Sequence, residues 1–172
     1  MIIRIANWLT SGKVPGNLSF AGDEYLEHLP DIYNVKGLTI ENDLSLDGCI
    51  SLISLPEDLH VEGMLDLENC VSLKRLPKGL KVNYSLNLRN CISLTKLPSD
   101  LQLGCSLLVN NCVSLKALPK NLNIPGFLDI RGCLSLTKLP ESLKVEDSIM
   151  IDKGSQLTYI PKHLQAQVSI DE

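Results

Sequence analysis

The chain has 172 residues, a formal net charge of −4, 44% hydrophobic residues and only 4% aromatics. So much aliphatic side chain excludes a disordered chain, and a near-neutral charge excludes a basic nucleic-acid footprint. No apolar run approaches the ~18 residues needed to span a membrane, so membrane insertion is not expected.

Residues 1 to 13 come first. Ile2, Ile3, Ile5, Ala6, Trp8 and Leu9 are apolar, and the stretch predicts a short amphipathic helical cap over whatever follows. Asn7 and Thr10 interrupt it and no cleavage-like small-residue site follows, so no cleaved secretory signal is expected.

From residue 14 onward the sequence repeats. Leucine is present in 33 copies, and most of them fall in one register. Prolines recur at Pro56, Pro77, Pro98, Pro119, Pro140 and Pro161, and cysteines at Cys49, Cys70, Cys91, Cys112 and Cys133, both in steps of 21 residues. One repeat reads Ser85-Leu-Asn-Leu-Arg-Asn-Cys-Ile-Ser-Leu-Thr-Lys-Leu-Pro-Ser-Asp-Leu-Gln-Leu. The pattern predicts seven coils with strands starting near 18, 44, 65, 86, 107, 128 and 149, and a partial eighth near 168. The first coil has Asp23 at the cysteine place and five extra residues within 31–37; the last full one has Gly154 there and Ala166 at the valine place.

The physics of a coil follows from its residue types. S-L-x-L-x alternates, so it predicts a short strand with both leucines inward. Stacked coils set such strands side by side in a parallel sheet, about 4.8 Å apart. Gly48, Asn69, Asn90, Asn111 and Gly132 follow the strand, and these residue types tolerate the left-handed turn predicted there. Proline fixes φ and lacks an N–H, which favours an extended or turn-like return over a helix. The closing L-x-V predicts a second, shorter strand.

This motif set resembles the leucine-rich repeat family, whose L-x-x-L-x-L-x-x-N/C-x-L is matched with cysteine at the asparagine place and one extra residue before the next leucine. The short repeat with L-P-x-x-L is similar to bacterial leucine-rich repeats, including effectors delivered into host cells. The resemblance covers residues 14 to 172. It implies a mostly-β, right-handed solenoid of the α/β repeat type, with a parallel concave sheet and an extended convex side. It also implies a protein-binding role and residence in the cytoplasm or, without a cleaved signal, in a host cell.

The other candidate sites have plain explanations. Five cysteines occupy one place in each coil, so neighbours lie about 5 Å apart and point the same way, which suits a disulfide badly. They predict a reduced ladder with S–H groups near backbone carbonyls. Cys105 lies outside that register, as a partly exposed thiol. No Cys/His spacing suits a metal, and no triad, paired-carboxylate or phosphate-loop arrangement is present, so neither catalysis nor a cofactor is expected. Ser51, Ser72, Ser93, Ser114 and Ser135 predict hydrogen bonds to backbone in a turn. His28, His60 and His163 fall at three different repeat places and read as surface residues. Lys74, Arg75, Lys96, Lys116 and Lys138 form a basic stripe, read as a solvated flank.

Outward places of the strand are where a solenoid of this kind recognises partners. Asp43, Asp47, Asp66 and Glu68 form an acidic cluster suited to a basic partner. Leu108, Phe127 and Met150 are apolar where water is expected, with Arg89, Asp129 and Arg131 around them, a pattern of apolar anchors ringed by polar groups. The C-terminal segment begins a strand and ends, with no comparable cap expected there. The expectation is a non-catalytic module binding a protein on its concave face. Alternatives are the recognition part of a larger effector enzyme such as a leucine-rich-repeat ubiquitin ligase, or a structural module that self-assembles, as a homodimer for example, through its C-terminal edge.

Overall fold

Each S-L-x-L segment points two leucines to one side, and that side must be shielded from water by something. The next coil shields it. In the computed structural model, which describes residues 12–30 and 33–171, every coil lays a short strand beside its neighbour's. Eight of them form one parallel sheet: Leu18–Ser19, Leu44–Ser45, Leu65–Asp66, Leu86–Asn87, Leu107–Leu108, Leu128–Asp129, Ile149–Asp152 and Val168–Asp171. The register is one-to-one, Leu107 opposite both Leu86 and Leu128, so each inward leucine stacks on its counterpart. The protein is a mostly-β parallel solenoid; residues 1–11 of the expected helical cap lie outside the described ones, and its last residue, Lys13, is in a strand paired with Thr39 rather than in a helix.

The strand ends in a left-handed residue at Gly48, Asn69, Asn90, Asn111 and Gly132, with φ of 73°, 60°, 60°, 62° and 69°. Where that residue is asparagine it adds a side-chain ladder. Asn111 Nδ2 donates to Asn90 Oδ1 at 3.0 Å, Asn90 to Asn69 at 2.9 Å, and Asn69 to Asp47 Oδ1 at 3.1 Å. Cysteine then turns inward, and its thiol reaches a carbonyl of the preceding coil. Cys70, Cys91, Cys112 and Cys133 donate to Leu46, Leu67, Leu88 and Val109 oxygens at 3.0 to 3.2 Å. The repeated serines behave differently from expectation. Their hydroxyls make no hydrogen bond among the described residues, because the backbone closes that turn itself, as in Leu52 N–H to Cys49 C=O at 3.0 Å. Further on, proline carbonyls close another turn, Leu101 N–H to Pro98 C=O and Leu122 N–H to Pro119 C=O, both at 3.3 Å.

The L-x-V segment forms the return sheet. Lys13–Val14, Thr39–Ile40, His60–Val61, Lys81–Val82 and Gln102–Leu103 make five parallel strands, after which the ladder breaks and restarts as Asn123–Ile124 with Lys144–Val145. Pro125 explains the break. Its place is held elsewhere by residues whose N–H bonds the previous coil, as Gly104 N–H does to Val82 C=O at 2.9 Å and Glu146 N–H to Ile124 C=O at 3.0 Å. Proline has no N–H to offer Leu103.

The C-terminal end is capped, contrary to expectation. A 3₁₀ helix, Lys162–Gln167, replaces the next return strand and buries Leu164 against the core. Carbonyls of the last return strand's region, which a further coil's backbone would meet, are instead met by side chains. His163 Nε2 lies 3.0 Å from Leu143 C=O, and Gln167 Nε2 donates to Val145 C=O at 2.6 Å. The long sheet, by contrast, keeps Val168–Asp171 as its edge, with Ile170 exposed on it.

Candidate interaction face

The outer surface of the long sheet carries the sequence-predicted residues in two main rows. One row runs Ser45, Asp66, Asn87, Leu108, Asp129, Met150 and Ser169 in strict strand register. The second, two residues further along, runs Asp47, Glu68, Arg89, Asn110, Arg131, Asp152 and Asp171. Unlike the interior rows, neither repeats a residue type for long. Asp43 lies before its strand, exposed, and its Oδ1 accepts the Met64 N–H at 2.7 Å.

The acidic cluster is partly engaged in cross-strand bonds. Asn87 Nδ2 donates to Asp66 Oδ1 at 2.9 Å and to Glu68 Oε2 at 3.0 Å, while Asp47 holds Asn69. Burial, with Asp47 and Glu68 close by, pushes the Asp66 carboxyl above its usual range. Asp47, Asp66 and Glu68 remain half-exposed, so the cluster still presents negative charge to solvent.

At the other end a clamp forms that charge patterning alone did not reveal. Asp129 has no exposed surface, and it sits in its row between Leu108 and Met150. Arg131 grips it with two hydrogen bonds, Nε to Oδ1 at 2.9 Å and Nη2 to Oδ2 at 2.7 Å. Nη1 of the same arginine bonds Asp171, tying the edge strand to a strand two places away. Hydrogen bonds to Asp129 and then Asp171 hold the guanidinium above its ordinary pKa. Two of the predicted binding residues thus form an ion pair whose carboxylate is buried and whose guanidinium is 34% exposed.

The three apolar candidates divide. Leu108 is only 8% exposed and lies outside the main core, enclosed on the sheet's outer side rather than presented to solvent. Phe127 and Met150 are half-exposed. Arg89 is also half-exposed, its Nε donating to Asn110 Oδ1 at 3.0 Å.

The thiols separate just as sharply. Burial pushes Cys70, Cys112 and Cys133 up to about 12 and raises Cys49 and Cys91 as well. Cys105 is half-exposed and shifted the opposite way by hydrogen bonding to Ser106, whose Oγ lies 3.6 Å away.

One exposed row escaped the sequence reading. The residue after each cysteine is aliphatic in five consecutive coils, Ile50, Val71, Ile92, Val113 and Leu134. The signal was present as C-[ILV]-S-L. Comparison with protein-family models, curated proteins and solved structures finds no significant match to this chain. The geometry itself therefore defines the class, a parallel-strand solenoid with 21-residue coils, consistent with a repeat fold like that of leucine-rich repeat proteins.

Proposed function

We propose that this solenoid is a non-catalytic protein-binding module of the leucine-rich repeat type, right-handed and concave on its long sheet, which recognises a partner through the outer face of that sheet. The observation that carries the reading is the half-exposed pair Phe127 and Met150. They flank an Asp129–Arg131 clamp on a surface where successive coils differ. Interface hot spots combine such apolar anchors with arginine, and the clamp fixes its arginine before any partner arrives. The acidic residues Asp43, Asp47, Asp66 and Glu68 supply steering for a basic surface on the partner. The resemblance of the repeat supports a bacterial setting and, within it, a protein directed into host cells.

The test begins with affinity capture and chemical cross-linking to identify a directly bound protein. Titration of that protein then compares wild type with Phe127→Ala/Met150→Ala, leaving buried Leu108 intact. A loss of affinity of tenfold or more at unchanged thermal stability is expected. Unchanged affinity overturns the assignment of this face.

A further inference from the structure

We infer that the aliphatic row Ile50–Val71–Ile92–Val113–Leu134 is a second docking surface, fitted to an amphipathic helix of another protein that carries aliphatic side chains on one face and acidic ones beside them. The row is separate from the long-sheet face and does not rest on the function proposed for that face.

The five side chains are presented identically. Each N–H bonds the carbonyl two residues earlier at 2.8 or 2.9 Å, as Ile50 does to Gly48 and Leu134 to Gly132. The left-handed residues just before them are tied coil to coil, Asn69 N–H to Arg89 C=O at 2.9 Å and Asn90 N–H to Asn110 C=O at 3.0 Å. The row is therefore straight and rigid. Ile50, Ile92 and Leu134 expose 41%, 46% and 57% of their surface, and the two valines between them are half-exposed. Scattered surface aliphatics need no explanation, but five in one line do. The line is bounded by Glu24 in the first coil and Ser155 in the last.

Spacing selects the shape of the occupant. Coils repeat about every 4.8 Å, so the row is roughly 19 Å long. A helix turn of 5.4 Å stays within about 2.4 Å of that row over four steps. A strand, with same-side residues ~6.6 Å apart, drifts out of phase by about 7 Å. Successive turns of one helix can therefore set an aliphatic residue against each coil, a recurring mode of peptide recognition.

Charge selects its chemistry. Three and four residues beyond the row stand Lys74 and Lys116, then Arg75, Lys96 and Lys138, all exposed. Among the described residues none of the five forms an ion pair. An open groove of about 940 Å³ lies against this band, with Arg75, Lys78 and Lys96 in its wall beside Glu57 and Asp100, whose carboxylates accept the Lys78 and Gly79 N–H groups. An apolar line with an unpaired basic band on one side is complementary to a helix with an apolar face and an acidic flank.

The probe is a synthetic, helix-stabilised peptide of about four turns, with leucines along one face and glutamates down one side of it. Controls are a scrambled peptide and mixed phosphatidylserine–phosphatidylcholine vesicles. Saturable binding in the micromolar range is expected, weakening as salt rises. Ile92→Glu is expected to reduce affinity tenfold or more, Lys96→Glu/Lys116→Glu at least threefold, and Ile92→Val little. Circular dichroism of each exposed-site variant should match wild type. Phe127→Ala/Met150→Ala should leave peptide binding unchanged, which separates this surface from the long-sheet face. Four outcomes overturn the inference: no saturable binding, equal binding of the scrambled peptide, indifference to Ile92→Glu, or binding of vesicles in place of the peptide. Concentration-dependent self-association abolished by Ile92→Glu overturns it too, because a second copy is then the occupant.

Discussion

The interior and the outer face of the long sheet are built from the same strands, yet they follow opposite rules. Inside, Leu44, Leu65, Leu86, Leu107 and Leu128 repeat one residue in one rotational place, all with no exposed surface. Outside, one residue along, the row reads Ser45, Asp66, Asn87, Leu108 and Asp129. Uniformity suits the interior, because each coil can bury its apolar side only against a neighbour of the same shape. Variation on the other side costs the stack little, and a surface without repetition has a distinct identity at every coil.

Several substitutions and conditions should break that contrast, or sharpen it. The largest effect is expected from alkaline pH acting on the cysteine ladder. Folded Cys70, Cys112 and Cys133 titrate at about 12 because burial disfavours their thiolates, whereas the reference value is 9.0. Their contribution is complete below about pH 9 and is lost as pH rises toward 12, since only the unfolded chain can ionise them freely. Urea midpoints measured across that range should fall steeply, and less steeply in Cys91→Ala, which removes one buried thiol. A flat profile would show the ladder to be solvent-accessible.

Next in size is Leu88→Ala, which empties a fully buried place at the centre of the stack. It should cost about 3–4 kcal/mol by urea unfolding, against under ~0.5 kcal/mol for Met64→Ala on the outer side. Arg131→Ala sharpens the comparison, because it is an outer-face change with an interior-sized effect. It leaves the carboxylate of Asp129 buried without its partner and should cost about 3 kcal/mol. Arg89→Ala, which loses one bond to Asn110, should cost less than about 1 kcal/mol. Between Arg131→Ala and Arg89→Ala falls Gln167→Ala at the C-terminal cap. It leaves the carbonyl of Val145 without that donor and should cost about 1 kcal/mol by the same assay.

What the sequence discloses divides along the same line. The period, the inward leucines, the left-handed turns and the thiol-to-carbonyl contacts are all legible, because each is local chemistry repeated in many coils. The broken return sheet was legible in principle, since Pro125 lacks the N–H with which Glu41, Glu62, Asn83, Gly104 and Glu146 bond the previous coil. Three features depend on what stacks beside them and are invisible along the chain. Leu108 is enclosed on the outer side of the sheet. Arg131 spans a strand to reach Asp171. The His163 and Gln167 side chains meet carbonyls of the kind that a return strand's backbone meets in earlier coils. The aliphatic row after the cysteines was overlooked for another reason. Its members interchange among isoleucine, valine and leucine, so they read as variable positions although their chemistry is constant.

Inner and outer rows exist only if coils stack in one-to-one register, and a distance across the sheet tests that directly. Ser45 and Ser169 lie in the same outer row, six strands apart. Spin labels at Ser45→Cys and Ser169→Cys, in a background of Cys105→Ser, should give a single narrow distance distribution centred at roughly 29 Å by pulsed electron resonance. A broad distribution, or a centre beyond about 40 Å, would contradict the stacked register and with it the separation of the two faces.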